Sequence, residues 1–365
     1  MNCIKKSIVL SLTFCTQLSI AQSKKAVQTH YDFSRLDDKI NSWIDTGYYK
    51  GAGFMLVKDN QVIHKKYYGS YQPETVVFIA SAGKWLAAAT IAALVDEGKL
   101  HWNDKVSKWL PEFKDEKGQA TLAQLLSHTA GYPDYQPVDK PIDIYQNLTE
   151  SVAHIVPLPA DTLPGTKFKY GGLAMQVAGR MAELATGKDW ETLFREKIAV
   201  PLDMSSTHFT PVDSSGGHAP MLGGGARSTL TDYINFLSMI YNRGMYKGKR
   251  ILSEEVIRTM QSNQVLAADA TGEKFIVKIR DRRSNDIYGL GEWREEVNAQ
   301  GEATLISSPS WAGAYPWIDL KNKLYGFFIT HITGFKNGFS SFYASPVLPL
   351  MVRDALKDTA HARVK

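Results

Sequence analysis

The chain has almost no cysteine. Of its 365 residues only Cys3 and Cys15 are cysteines, both within the first fifteen positions. Disulfide cross-links, thiol nucleophiles and cysteine-ligated metals are therefore excluded from the rest of the sequence. The nine histidines are scattered, with no pair at the spacing of a zinc-binding helix, so no metal or cofactor is expected. Charge of one sign is scarce as well. Forty-two basic residues against 37 acidic ones give a net charge of +5, too small and too dispersed for a nucleic-acid surface. Long apolar runs are absent: Ile8 to about Leu18 is well short of the roughly 20 residues that span a bilayer. With Lys5-Lys6 before it and Ser19-Ile20-Ala21 after it, that run has the layout of a cleavable export signal over residues 1–21. Removing it takes both cysteines away. A lipid anchor on Cys15 is disfavoured, because Phe14 stands where a small residue is needed. The expected location is periplasmic or secreted, with no span in the mature chain.

What is present fits a globular enzyme: 44% hydrophobic and 22% charged residues place the chain well away from disordered sequences. Phe33, Leu36, Ile40, Trp43 and Ile44 predict a helix over 30–46. Residues 51–57 and 61–68 flank Lys58-Asp59-Asn60, a good hairpin turn. From about 100 to 265 helical patterns dominate, at 121–127, 171–186, 189–198, 230–243 and 253–261, separated by Pro and Gly. After 275 the pattern returns to strands at 287–293, 303–307, 315–320 and 323–330, and a last helix begins near Pro346. The expected fold class is α/β (α+β): an antiparallel sheet built from both chain ends, flanked by helices, with a large all-helical inserted region. The corresponding boundaries are 30–100 plus 270–358 for the α/β region and 101–269 for the helical region.

Ser81 and Lys84 carry the chemistry, in Phe78-Ile79-Ala80-Ser81-Ala82-Gly83-Lys84-Trp85 at the start of an apolar helix that stops at Gly98. Residues three apart share one helix face, so the lysine amine can reach the serine hydroxyl. Serine becomes a useful nucleophile only when a neighbouring base takes its proton. The bland alternative is Ser81 as a helix cap with Lys84 solvated in the first turn.

Four further segments follow in order: Thr121-Leu-Ala-Gln-Leu-Leu-Ser-His-Thr-Ala-Gly131, Pro164-Gly165 with Phe168-Lys169-Tyr170-Gly171-Gly172, Gly223-Gly-Gly-Ala-Arg-Ser-Thr229 with Asp232, and Ser310-Trp311-Ala312-Gly313-Ala314. Together with Ser81-x-x-Lys84 the series resembles the serine β-lactamase-related hydrolases: class C β-lactamases, D,D-peptidases, D-aminopeptidases and β-lactamase-like carboxylesterases. The resemblance covers roughly residues 30–355. It implies acyl transfer through an ester on Ser81, with Lys84 and Tyr170 flanking its hydroxyl and either of them serving as base. A lysine must fall by roughly three pH units from 10.4 to do so, about 4 kcal/mol. The resemblance also implies an oxyanion hole from the backbone amides of Ser81 and Ala314, with Gly313 letting substrate lie against the strand edge and Trp311 beside it. Ser127-His128-Thr129 reads as a structural turn near the site, and the Gly223–Gly225 run as backbone pressed close to it.

Two positions depart from the family's pattern. Gly172 stands where the family carries an Asn that helps hold the substrate's acyl side chain and orient the lysine. Trp311 replaces the lysine of Lys-Thr-Gly, which removes a cation that pairs with a substrate carboxylate; Arg227 is a cation that could compensate. Trp311, Tyr315 and Trp317 are expected to form an aromatic wall that favours neutral esters. The expected activity is an exported carboxylesterase with weak or no β-lactamase activity, acting on a small ester or amide. The alternatives are a D-aminopeptidase or amide hydrolase, a β-lactamase or D,D-peptidase on the same residues, and a non-catalytic envelope binding protein.

Overall fold

Leu36, Ile40 and Trp43 fall on one face of α1 (Ser34–Asp45) and are the residues it buries. β1 (Tyr49–Lys58) and β2 (Gln61–Gly69) follow, joined through Asp59 and Asn60 at φ +48° and +61°. Two successive left-handed residues make the hairpin turn whose twist matches the strands it joins, and Asp and Asn tolerate that conformation. β3 (Val77–Phe78) leads into a single 3-10 turn, Ala80–Ala82, and then α2 (Gly83–Asp96). The computed structural model describes residues 31–133, 147–209, 220–334 and 338–362; the expected leader at 1–21, with both cysteines, lies outside them. Among the described residues no helix is long and apolar enough to cross a membrane.

The middle of the chain is helical in bulk, with Leu173–Thr186 and Leu230–Tyr241 its longest helices. It also holds short strands that periodicity does not announce. β4 (His208–Phe209) and β5 (Ala226–Ser228) join β3 in the order β3-β5-β4, and β6 (Met245–Tyr246) pairs with β7 (Lys249–Arg250). Strands of two or three residues are too short to display an alternation.

The C-terminal part supplies β8 (Trp293–Val297), β9 (Ala303–Ser307), β10 (Gly313–Asp319) and β11 (Leu324–Ile332). The main sheet is antiparallel in the order β2-β1-β11-β10-β9-β8, so β1 and β11, from opposite ends of the chain, are central neighbours with Val57 opposite Tyr325 and Gly53 opposite Ile329. Alternation along these strands divides the core. Phe54, Leu56, Tyr315, Trp317 and Phe328 pack against α1 and the start of the C-terminal helix Leu348–Ala362. Met55, Val57, Ala314, Ile318, Phe327 and Ile329 face α2 and the helical region. α2 is buried without a break from Gly83 to Leu94; a helix apolar all round belongs in a core.

Two expectations need correction. The stretch 287–293 is not a strand, because β8 begins only at Trp293. Gly289 and Gly291 let the preceding segment bend onto its neighbours: a Cβ on Gly289 would lie 2.0 Å from the Met260 carbonyl oxygen, and one on Gly291 2.8 Å from that of Lys84. The aromatic wall does not form either. Tyr315 and Trp317 share a strand face, but it is the face turned to α1, and only Trp311 stays exposed, at 47%.

Candidate active site

Ser81 lies in the 3-10 turn, and Lys84 one step into α2. Ala80, just before the serine, has φ +45°, a sparsely populated region for a residue with a side chain and one that costs about 1–3 kcal/mol. Neighbours pin this turn from several sides. Ile79 N–H donates to Ala226 O at 3.0 Å, Ser308 Oγ to Ser81 O at 3.1 Å and Tyr233 OH to Ala82 O at 2.6 Å. Ser308 and Tyr233 were not singled out in the sequence; nothing but their wholly buried hydroxyl-bearing side chains marks them, and burial is a property of the fold.

Lys84 is wholly buried, not solvated. Its Nζ donates to Ser81 Oγ at 3.1 Å and to Gly223 O at 2.5 Å. It also stands 4.6 Å above the centre of the Tyr170 ring. Burial lowers its pKa from 10.5 to about 7, a penalty on the ammonium form on the order of 5 kcal/mol. The apolar packing of α2, about 1.5–3 kcal/mol for each large buried side chain, outweighs it.

Tyr170 is half-buried between His128 and Trp293, with ring centres 4.6 and 5.2 Å away. His128, at φ +60°, has its Nδ1 accepting from Gly171 N–H at 3.4 Å and its Nε2 3.3 Å from Tyr288 OH. That pairing assigns the proton to Nε2. Burial, together with the charge of Lys84, holds the His128 pKa well below its usual value, so the ring is neutral and fixes the Tyr170 segment. Gly171 and Gly172 are buried, and a Cβ on Gly223 would lie 2.8 Å from Gly172 Cα. The two backbones thus pack closely at Gly223, next to the position where the family carries its Asn.

On the other flank, Ser310 N–H donates to Ala314 O at 2.9 Å and Gly313 N–H to Ser310 O at 3.2 Å, so Trp311 and Ala312 form the tip of a tight turn. Gly313 is at φ +117°, with Thr330 and Tyr49 side-chain atoms 2.6 and 3.0 Å from where a Cβ would be. The β10–β11 pairing passes from Gly313 opposite His331 to Tyr315 opposite Phe328, which leaves Ala314 at an irregularity where a bulge loosens the ladder. β10 packs against the Ser81 turn. Lys84 therefore lies against both Ser81 and the Tyr170 ring, with Gly313 and Ala314 on the strand packed against the Ser81 turn and Trp311 exposed in the turn before that strand.

Comparison with known proteins agrees with this architecture. The Beta-lactamase family model matches residues 36–342. A crystal structure of a "putative beta-lactamase from Bacteroides dorei DSM 17855" is 52% identical, covering 90% of this chain and 99% of that one, with a TM-score of 0.86. Over 349 residues the chain is 22% identical to the D-alanyl-D-alanine-carboxypeptidase/endopeptidase AmpH of Escherichia coli (strain K12), covering 86% of this chain and 87% of that one. A "Putative D-alanyl-D-alanine carboxypeptidase" of the same strain is 30% identical over 206 residues, 49% of this chain and 47% of the relative, so that match spans about half the relative's length. The chain belongs to the beta-lactamase family.

Proposed function

We propose that Ser81 is the nucleophile of a carboxylesterase-type acyl transfer, with Lys84 as its base and weak or no activity on β-lactams. The observation that carries this reading is the buried Lys84 amine, 3.1 Å from Ser81 Oγ with a pKa of about 7. A base poised near the working pH combines a useful free-base fraction with enough basicity to take the proton. Neutral Lys84 accepts the Ser81 proton as Oγ bonds to the acyl carbon. The oxyanion then rests on the Ser81 and Ala314 amides. The protonated lysine returns the proton to the departing alkoxide, and water repeats the sequence to release the acid. Tyr170 lies against Lys84 through its ring and helps keep the amine in place.

The substrate preference rests on Trp311, which offers no cation to a lactam or peptide carboxylate. Similarity to D-alanyl-D-alanine carboxypeptidases supports the amide reading on the same residues. Incubation with a fluorophosphonate probe, followed by intact-mass measurement, should give one adduct that Ser81→Ala loses. The same protein should hydrolyse short-chain p-nitrophenyl esters faster than nitrocefin or D-alanyl-D-alanine peptides. No adduct on folded protein would refute the nucleophile assignment, and faster cleavage of the peptides would replace esterase by carboxypeptidase.

A further inference from the structure

We propose that Gln176 is a positioning residue for the reaction: its buried side-chain amide clamps the main chain at Pro220 and Leu222 and so sets the Gly223 carbonyl against the Lys84 amine. This rests on the reading of Lys84 as the base for Ser81 and adds the device that aims it.

Gln176 stands in the first turn of the helix Leu173–Thr186, which packs against α2, and it is 1% exposed. Its Oε1 accepts from Leu222 N–H at 2.7 Å, and its Nε2 donates to Pro220 O at 3.0 Å and to Ser151 Oγ at 3.2 Å. A main-chain N–H only donates and a carbonyl only accepts, so these two partners fix which end of the amide faces which. Removing the amide leaves the Leu222 N–H without this partner inside the protein, a costly state for a buried donor.

The same helix face holds the segment at two more points. Gly172, Gln176 and Gly179 follow at intervals of four and three, which places them on one face. A Cβ on Gly179 would lie 2.3 Å from Leu222 Cδ2, so the Leu222 side chain rests on the helix there, while Gly223 packs on Gly172. The chain then turns tightly, with the Gly224 and Gly225 N–H groups reaching Met221 O at 3.0 and 2.5 Å. Three successive glycines have little conformational preference of their own, so the Gly223 carbonyl depends on outside anchors for its position. It lies 2.5 Å from Lys84 Nζ.

A neutral lysine has two N–H donors and one lone pair. With one N–H on Gly223 O, the lone pair can turn to Ser81 Oγ at 3.1 Å, as proton transfer requires. Once protonated, the ammonium keeps the same carbonyl, and a bond to a charged donor is the stronger one. The clamp thus serves both protonation states. The titratable groups facing Lys84 are Tyr170, with its ring 4.6 Å from Nζ, and the neutral His128; Glu292 follows Gly291, which is pressed on Lys84 O. Substituting Gln176 changes the charge of none of them.

The test follows Lys84 directly. In protein labelled with 13C at lysine Cε, the Lys84 resonance is assigned by its absence in Lys84→Arg and titrated without turnover. The wild-type midpoint is about 7. Gln176→Met, of the same length but with no amide, should lower it by about half a pH unit or more. In hydrolysis of 4-nitrophenyl acetate the plateau of kcat/KM should fall about tenfold, mostly in kcat, because the clamp acts on the base and not on the substrate. Ser151→Ala removes the remaining partner of Nε2 but neither main-chain bond, and should move neither readout. Gln176→Asn, one methylene short of spanning both partners, should behave as Gln176→Met does and serves if the methionine variant fails to fold. An unmoved Lys84 midpoint in a folded Gln176 variant, or an equal shift in Ser151→Ala, would overturn the proposal, whatever the change in melting temperature. If the wild-type protein hydrolyses no ester and Ser81 takes no fluorophosphonate, the base reading of Lys84 fails, while the NMR midpoint still decides whether Gln176 holds Gly223 O on the amine.

Discussion

Lys84 is the residue on which the chemistry turns, because one group must be wholly buried and still exchange a proton. Its acceptors are Ser81 Oγ and Gly223 O, while its contact with Tyr170 is with the ring. If the neutral amine is the working form, kcat/KM should rise with pH through about 7 and level off above it, because the free base fills as the ammonium loses its proton. Lys84→Arg keeps the charge but cannot release a proton, and should cost on the order of 10²–10⁴ in kcat/KM. Tyr170→Phe preserves the ring under Nζ. It should keep the acid limb near pH 7 and lose much less rate than Lys84→Arg. A larger loss in Tyr170→Phe than in Lys84→Arg, measured as pH profiles of ester hydrolysis, would move the base to the tyrosine.

Among the elements, the Gly223–Gly225 segment ties the lysine to the rest of the site. Its carbonyl reaches Lys84 because Gly223 has no Cβ to hold its backbone away from Gly172. Gly223→Ala should push the segment outward and remove the 2.5 Å bond from Lys84 Nζ. A carbonyl oxygen accepts more strongly from an ammonium than from an amine, so its loss disfavours the charged form. The acid limb of kcat/KM should then move to lower pH while the plateau falls, by about tenfold for a hydrogen bond to a charged group. This contact was not legible in the sequence: it is a main-chain atom 139 positions from Lys84, with no side chain to mark it. The Ser81-x-x-Lys84 pair was legible because its partners are one helical turn apart. The hairpin at Asp59-Asn60 and strand 303–307 were legible for the same reason, since turn chemistry and alternation are local signals. The orientation of Tyr315 and Trp317 was not, because alternation puts both on one face without saying whether α1 or α2 covers it. At 287–293, β-favouring residues gave way to two glycines whose close contacts with Met260 and Lys84 exist only in the folded chain.

At the scale of the whole molecule, the layer between the sheet and α2 has a feature that catalysis by Ser81 does not require. Glu292 is wholly buried, and neither carboxyl oxygen has a hydrogen-bond partner. It sits between Gly291, which is pressed against Lys84 O, and Trp293, which packs on Tyr170. Burial raises its pKa to about 8; the Arg294 charge and the Trp85 indole pull it down, but neither comes close enough to bond. A neutral carboxylic acid is thus the folded form at neutral pH, whereas the unfolded chain ionises near 4.5. Because the folded state holds this proton more tightly, the stability it confers is complete below pH 4.5. It is lost as pH rises toward 8, with a swing on the order of 3–5 kcal/mol. Half-buried Glu191, raised to about 7 by burial, acts in the same direction. Lys84 opposes them only above pH 7, because its depressed pKa makes folding favour proton release there. Buried His128, whose neutral form is the folded one, opposes them below about pH 6.5, so the decline in melting temperature that Glu292 causes should be clearest between about pH 6 and pH 8. Glu292→Gln, similar in shape and never charged, should flatten much of that decline, raising the melting temperature most at pH 8 and least at pH 4.5. Thermal unfolding followed across that range decides the matter: parallel profiles for the two proteins would mean that Glu292 is ionised, and compensated, throughout.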